Sequence, residues 1–250
     1  MKVTRLFAST TNTADGVVTG STGSYNEGYD LSRFFGYKWA GLDPATGDPR
    51  GYLDGQIVSI SNDAAGSANY RAIQNAPTSS AVYFGSAVPV FYGSLRNTFT
   101  YGAFSASVNM MYKLGYFVRR PLSNVVSYSG LFSGNGTLQG AEYNQRWQKA
   151  GDELITNVPS AVYTSNDQAR DRFYYFSETN VLKGDHIRLQ EVNLAYSFSA
   201  KKNWFIRNPR VFANVTNLGI IWKANDQGID PEVFDYPNPR TYSLGFSANF

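Results

Sequence analysis

Residues 103–116 read A-F-S-A-S-V-N-M-M-Y-K-L-G-Y. Taken in twos, Phe104, Ala106, Val108, Met110, Tyr112, Leu114 and Tyr116 oppose Ser105, Ser107, Asn109, Met111, Lys113 and Gly115. Side chains alternate across a β-strand, so this segment is a strand with one apolar face and one small, polar face. Just upstream, Leu95, Phe99 and Tyr101 alternate with Ser94, Arg96, Thr98 and Thr100. Tyr101-Gly102-Ala103 is then a tight turn, and the two long strands form a hairpin. Residues 240–250, R-T-Y-S-L-G-F-S-A-N-F, repeat the pattern, with Tyr242, Leu244, Phe246, Ala248 and Phe250 on the apolar side.

Asp185 to Ser199 is a further long strand with a break in phase. Val192, Leu194, Tyr196 and Phe198 share one face, whereas Ile187 and Leu189 fall on the other. Such a break predicts a bulge, or a strand that rises beyond an apolar zone. Pro209 to Leu218 alternates over a shorter run, and Phe34 to Ala40 and Arg172 to Ser177 are aromatic-rich strand candidates. Gly41 to Ala87 and Pro121 to Asp171 read as long loops, the second with one short helix around Ala141 to Ala150. Soluble domains rarely hold structureless loops beyond about 12 to 15 residues. Long loops alternating with tight turns are a habit of outer-membrane barrels.

Composition removes other classes. The 250 residues contain no Cys and one His, which excludes disulfide scaffolds and thiolate chemistry. No apolar run approaches the roughly 18 to 20 residues of a membrane helix. The net charge of +3 comes without a basic run, so nucleic acid is not an expected partner. Residues 1–16 carry Lys2 and Arg5 but no apolar core, and do not read as a signal peptide. Either the protein stays inside the cell or the chain lacks its true N-terminus. Only 16% of residues are charged, and the polar strand faces carry Ser, Thr, Asn, Gly and Ala where a soluble sheet would carry Lys and Glu. Tyr and Phe gather at strand ends, as in interfacial belts. A membrane barrel accounts for these faces; a soluble or secreted all-β carbohydrate-binding module is the alternative.

Ordered phrases sharpen the reading. They are F-G-Y-K-W-A-G-L-D-P-A-T-G-D-P-R (Phe35 to Arg50), P-V-F-Y-G-S-L-R-N-T-F-T-Y (Pro89 to Tyr101), G-D-H-I-R-L-Q-E-V-N-L-A-Y-S-F (Gly184 to Phe198), N-L (Asn217, Leu218), G-I-D-P-E (Gly228 to Glu232) and Y-P-N-P-R-T-Y-S-L-G-F-S-A-N-F (Tyr236 to Phe250). In this order and spacing they resemble the C-terminal part of SusC/RagA-type TonB-dependent outer-membrane transporters, from about Phe34 onward. The resemblance implies an all-β fold: an antiparallel transmembrane β-barrel segment with long extracellular loops. It would hold about six or seven strands of a roughly 22-stranded barrel. Residues 1–250 would be the C-terminal part of the barrel, with plug and signal peptide absent. The implied location is the outer membrane of a Gram-negative bacterium. The implied function is that of a transport component and not an enzyme, forming the barrel wall of an importer of oligosaccharides or peptides. Its implied partners are outer-membrane lipid, the missing N-terminal barrel and plug, a SusD-like lipoprotein as lid, TonB acting through the absent plug, and the barrel assembly machinery. No cofactor is implied.

Individual residues are weighed on this background. Phe250, with Phe246 and Tyr242, looks like the C-terminal signal read by the assembly machinery. Tyr37, Trp39, Tyr52, Tyr143, Trp147 and Trp222 are candidates for stacking on substrate rings, against the plainer role of girdle or loop packing. Asp43, Asp48 and Asp54, and Asp226, Asp230 and Asp235, lack EF-hand spacing and read as turn residues, not Ca²⁺ ligands. His186 has no nucleophile motif beside it and reads as a rim or lumen residue. Arg33, Arg96, Arg188, Arg207, Arg210 and Arg240 would pair with Glu191 and Glu232 there. Gly130 to Gly140 lacks the Gly-Lys-Ser/Thr of a phosphate loop.

Overall fold

A computed structural model describes residues 13–19, 28–59, 68–120, 141–162, 168–199, 205–234 and 236–249. In chain order these form α1 (Ala14–Val18), β1 (Arg33–Tyr37), β2 (Trp39–Leu42), β3 (Pro49–Leu53), β4 (Gln56–Val58), α2 (Ala68–Asn75), β5 (Ala81–Ser86), β6 (Phe91–Tyr101), β7 (Phe104–Leu114), β8 (Phe117–Arg119), α3 (Gln168–Phe176), β9 (Val181–Lys183), β10 (His186–Ser197), β11 (Arg207–Lys223) and β12 (Thr241–Asn249). The chain divides into two compact units: residues 1–87 with 117–182, and residues 88–116 with 183–250.

The second unit is one antiparallel sheet in the order β12-β11-β10-β7-β6. It is open, with β6 and β12 as its edges. These are the strands that alternation predicts, with β11 running well beyond the expected Pro209 to Leu218, and the register fixes their faces. Phe99, Ala106, Leu194, Ala213 and Leu244 lie side by side across all five strands. So do Tyr101, Phe104, Tyr196, Val211 and Phe246, one pleat further along. Thr98, Ser107, Asn193, Asn214 and Ser243 form a matching row on the opposite face. Among the described residues the sheet has five strands, against the six or seven expected.

The phase break in β10 resolves as a bulge. Leu189 pairs with Met110 and Glu191 with Asn109, which leaves Gln190 as the extra residue. The bulge returns Ile187 and Leu189 to the apolar face, opposite Tyr112 and Met110. On β11 the register slips at the same level, where Asn217 takes φ +57°. Gln190 Nε2 donates to Asn217 Oδ1 at 3.3 Å, so the two irregularities brace each other.

The first unit departs from the sequence reading. Gly41 to Ala87 is not a loop: it holds β3, β4, α2 and β5, with β1 paired to β5 and β2-β3-β4 in a three-stranded sheet. Arg172 to Ser177 is not a strand; most of it is the end of α3. Aromatic residues favour strands, but here packing prevails: Ala169, Arg170, Phe173 and Tyr174 recur at helical spacing and bury one side of α3. Phe173 is completely buried and stacks on Tyr37 and Tyr70, with ring centroids 5.6 and 5.3 Å away. The short helix near Ala141 is a single 3-10 segment, Ala141–Gln145. Gly130 to Gly140 lies outside the described residues.

Candidate functional site

The sheet of the second unit presents two chemically distinct surfaces. On the apolar face Phe99 is 66% exposed, Tyr101 89%, Leu244 81% and Phe246 61%. Strands exposing this much aromatic and aliphatic surface need a cover, and a soluble sheet would have charged it instead. From Phe91 to Tyr101 the strand rises roughly 34 Å, or about 25 Å at barrel tilt, which is the height of an outer-membrane apolar band. Phe104 and Tyr196 pack edge to face at 4.7 Å in the row at the hairpin end. At the other end Tyr112, Ile187 and Trp222 form the corresponding row. The opposite face is a ladder of Ser, Thr and Asn crossed by the Arg96–Glu191 ion pair at 2.6 Å.

At the end of the sheet away from the Gly102 turn, two of the quoted phrases meet. Each residue of G-D-H-I-R has a geometric reason. A Cβ on Gly184 would lie 2.5 Å from the Tyr116 ring, so only glycine lets that ring close over the backbone. The Asp185 carboxylate accepts the Gly115 N–H at 2.6 Å and the Tyr116 N–H at 3.3 Å, capping the turn out of β7. His186 is fully buried; its Nδ1 lies 2.9 Å from the Gly184 carbonyl and its Nε2 3.2 Å from Glu232 Oε2. Ile187 points to the apolar face. Arg188, 7% exposed, donates from one terminal nitrogen to both Asp230 oxygens at 2.7 Å and from Nε to Glu232 at 3.2 Å.

The phrase G-I-D-P-E supplies the anions. Asp230 Oδ1 accepts the Glu232 N–H at 3.0 Å across Pro231, an Asx turn that aims both carboxylates at β10. Lys113 on β7 holds the second Glu232 oxygen. Burial alone would raise both carboxyl pKa values. The Arg188 guanidinium and the Glu232 N–H outweigh it for Asp230, and the Lys113 ammonium outweighs it for Glu232, so both are held below the ordinary carboxylate range. A lowered carboxyl pKa stabilises the fold at neutral pH, and that contribution is lost as pH falls through the lowered value. Burial and the nearby carboxylates Glu232, Asp185 and Asp230 push the Tyr116 phenol up. Of the six arginines expected in such pairs, the structure pairs Arg188 with Glu232 and Arg96 with Glu191. The expectation omitted Lys113, Tyr116 and Asp185, which show no local signal because their partners lie 69 to 119 residues away.

The candidate aromatics scatter. Tyr37 is 1% exposed, donates to Asp15 at 2.7 Å and stacks on Phe173, so it is a core residue and has no face free for a ring. Trp39 packs on Phe173 and Tyr174 beside it. The Tyr52 ring sits under Lys38 Nζ at 4.6 Å, and the Tyr143 ring under Arg146 at 4.1 Å. Trp147 donates to Glu153 at 3.1 Å and closes over Gly47, where a Cβ would lie 2.4 Å from the ring. Trp222 is 47% exposed, on the apolar face of the sheet. Tyr242 and Phe246 stand on that face too, while Phe250 lies outside the described residues.

The acidic loops do turn and ion-pair work. Asp43 accepts the Ala45 N–H at 2.9 Å in an Asx turn, and Asp48 is the counter-ion of the buried Arg170 at 2.8 Å. Asp54 takes φ +48° in the β3–β4 turn. Asp235 lies outside the described residues. Arg119 in the first unit is held by the Phe35 carbonyl at 2.9 Å and by the rings of Phe34 and Phe176; burial pulls its pKa down to about 10.

No known family profile matches the chain. Over 202 residues it is 25% identical to TonB-dependent receptor P26 of Formosa agariphila, covering 69% of this chain and 18% of that receptor. The RagAB peptide importer in its open-open state superposes with a TM-score of 0.65 over 100% of this chain and 25% of the matched one, at 20% identity. A second structure, of the RagAB peptide transporter, gives a TM-score of 0.58 over 86% of this chain and 22% of the matched one, at 19% identity. The chain thus spans a quarter or less of the length of these proteins. At such identities the solved structures speak to the fold alone. The chain is thus similar in sequence to part of a TonB-dependent receptor and in fold to part of the RagAB importer.

Proposed function

We propose that residues 1–250 form the C-terminal part of the barrel of a TonB-dependent importer in the outer membrane of a Gram-negative bacterium. The observation that carries this is the five-stranded sheet with one open apolar face and one Ser/Thr/Asn face. Lipid covers the first, and the second lines the lumen. An open sheet cannot stand alone in a bilayer, because its edge amides would lack partners; β6 and β12 therefore pair with further barrel strands. The long connections leave the sheet from the end opposite the Gly102 turn, as extracellular loops do. Plug, TonB contact and a SusD-like lipoprotein lid belong to the whole assembly. Its cargo is a peptide or an oligosaccharide, with solved peptide importers of the same fold in favour of the first.

Deleting the gene in its host and measuring uptake of labelled peptides and of labelled oligosaccharides tests this reading. Loss of uptake of one class, reproduced in the parent by dissipating the proton gradient, is the expected result. Undiminished uptake of both classes would defeat it.

A further inference from the structure

We infer that the apolar face of the sheet holds a seat for the acyl chain of a glycerophospholipid of the periplasmic leaflet, in a hollow beside the Gly102 turn. The inference rests on the reading of that face as lipid-facing and names one lipid on it.

The hollow follows from side-chain size. In the row Phe99, Ala106, Leu194, Ala213 and Leu244, alanines alternate with large side chains across the sheet. The next row towards the turn holds Tyr101, Phe104, Tyr196 and Val211. The two rows together line a chiefly apolar hollow of about 590 Å³, the size of a ligand site. Its wall is preformed: Phe104 and Phe198 each pack edge to face on Tyr196, with ring centroids 4.7 Å away. Strands that pair with β6 and β12 extend the wall sideways and leave the hollow open.

Dispersion selects what fills it. Lipid chains are as apolar as the wall, so no hydrophobic drive distinguishes one chain from the next. A chain lying in a fixed hollow has contacts on several sides, whereas a chain on a flat wall has them on one. The hollow therefore favours a seated chain over the mobile lipid around it.

Level and charge select the class of lipid. Phe99 and Tyr101 are the last two residues of β6 on this face, so the hollow lies within roughly 7 Å of the strand end. That end is the periplasmic one, whose leaflet is phospholipid; lipopolysaccharide fills the outer leaflet. Among the described residues at this end of the sheet, 98–107, 192–199, 205–216 and 241–249, there is no acid, and the charged groups are Arg207 and Arg210, both exposed where β11 begins. A headgroup phosphate at that level meets two cations and no repelling carboxylate. Arg210 stands in register with Ser197 and Ser247, on the polar side, so the arginines favour the phosphate by their field while the hollow holds the chain.

The full-length protein, purified from outer membranes in mild detergent and washed free of loose lipid, tests the seat with palmitoyl-oleoyl phosphatidylglycerol as the added probe. Native mass spectrometry counts bound phospholipid. Ala106→Leu with Ala213→Leu fills the hollow, and Val215→Leu adds bulk on the same face outside it. The filled variant should bind the probe about tenfold more weakly at this seat and carry one phospholipid fewer than the wild type, with Val215→Leu unchanged. Equal phospholipid on wild type and filled variant overturns the seat, as does lipopolysaccharide retained in its place. Because the added leucines can disturb assembly, the unsubstituted protein gives a second readout. A phosphatidylglycerol with a diazirine on its acyl chain, photolysed after the wash, should label residues 99–106 and 194–213 above the rest of the face; labelling spread evenly from there to Tyr242 overturns the proposal. If the wild type never appears in folded, heat-modifiable form in outer-membrane fractions, the reading of the face falls and the seat with it.

Discussion

Arg170 is among the largest side chains sealed from water, 1% exposed on α3. Its Nε bonds Asp48 at 2.8 Å, and a terminal nitrogen bonds the Ser160 carbonyl and hydroxyl at 2.8 and 3.1 Å. The partners come from sequence positions 122 and 10 residues away, so no local pattern could reveal them. In sequence Asp48 is only a turn acid between Gly47 and Pro49. The contrast with Gln190 is instructive: its bulge shows as a slip in a period of two, and a slip within one strand is visible without knowing any partner. Replacing Arg170 with Met leaves the Asp48 charge buried and alone, which costs about 3 to 5 kcal/mol. Urea unfolding followed by the fluorescence of Trp39 and Trp147 should show the midpoint fall accordingly. Arg170→Met with Asp48→Leu should recover most of the loss, because burying no charge is cheaper than burying one unpaired.

At the scale of the element, β10 carries the densest information. Its upper half sets His186 and Arg188 on the polar face, and its lower half sets Val192 and Leu194 on the apolar one. Gln190, between them, is the extra residue that the bulge absorbs. The five long strands were legible because alternation is local; α3 was not, because its aromatics mimic a strand and only the packing of Phe173 against β1 and α2 decides the matter. The small strands of the first unit were hidden for the same reason: Gly, Pro and Asp punctuate them, and β3 is fixed by Gly51, whose missing Cβ makes room for Phe173 and Ile73. Deleting Gln190 removes the bulge and leaves strict alternation, with Ile187 and Leu189 still on the face of Val192 and Leu194. We expect the deletion to assemble, read as retention of the folded, heat-modifiable form in outer-membrane fractions, because it removes only the bulge and the contact to Asn217. Gln190→Ala, which keeps the residue count and loses only the contact to Asn217, should assemble near normally.

For the whole molecule the question is which face of the sheet meets lipid, and neighbouring residues of one strand answer it. Leu194 and Asn193 are adjacent on β10 and point to opposite sides, in rows that cross all five strands. Leu194 is 55% exposed on a face that includes Phe99, Tyr101 and Phe246. If lipid covers that face, Leu194→Arg places a charge within the apolar band at about 2 to 4 kcal/mol, whereas Asn193→Arg enters a polar lumen nearly free of charge repulsion. If the sheet were a soluble binding module, the order would invert: a new Arg on an open apolar face improves solubility, and one in the Asn/Ser ladder disturbs a binding surface. Quantitative refolding into thin bilayers, with tryptophan fluorescence as the readout, distinguishes the two. The expected result is a stability loss of that size for Leu194→Arg and little change for Asn193→Arg. Equal effects, or the reverse order, would remove lipid from the account, since the two substitutions share strand, depth and side chain and differ only in the face they occupy.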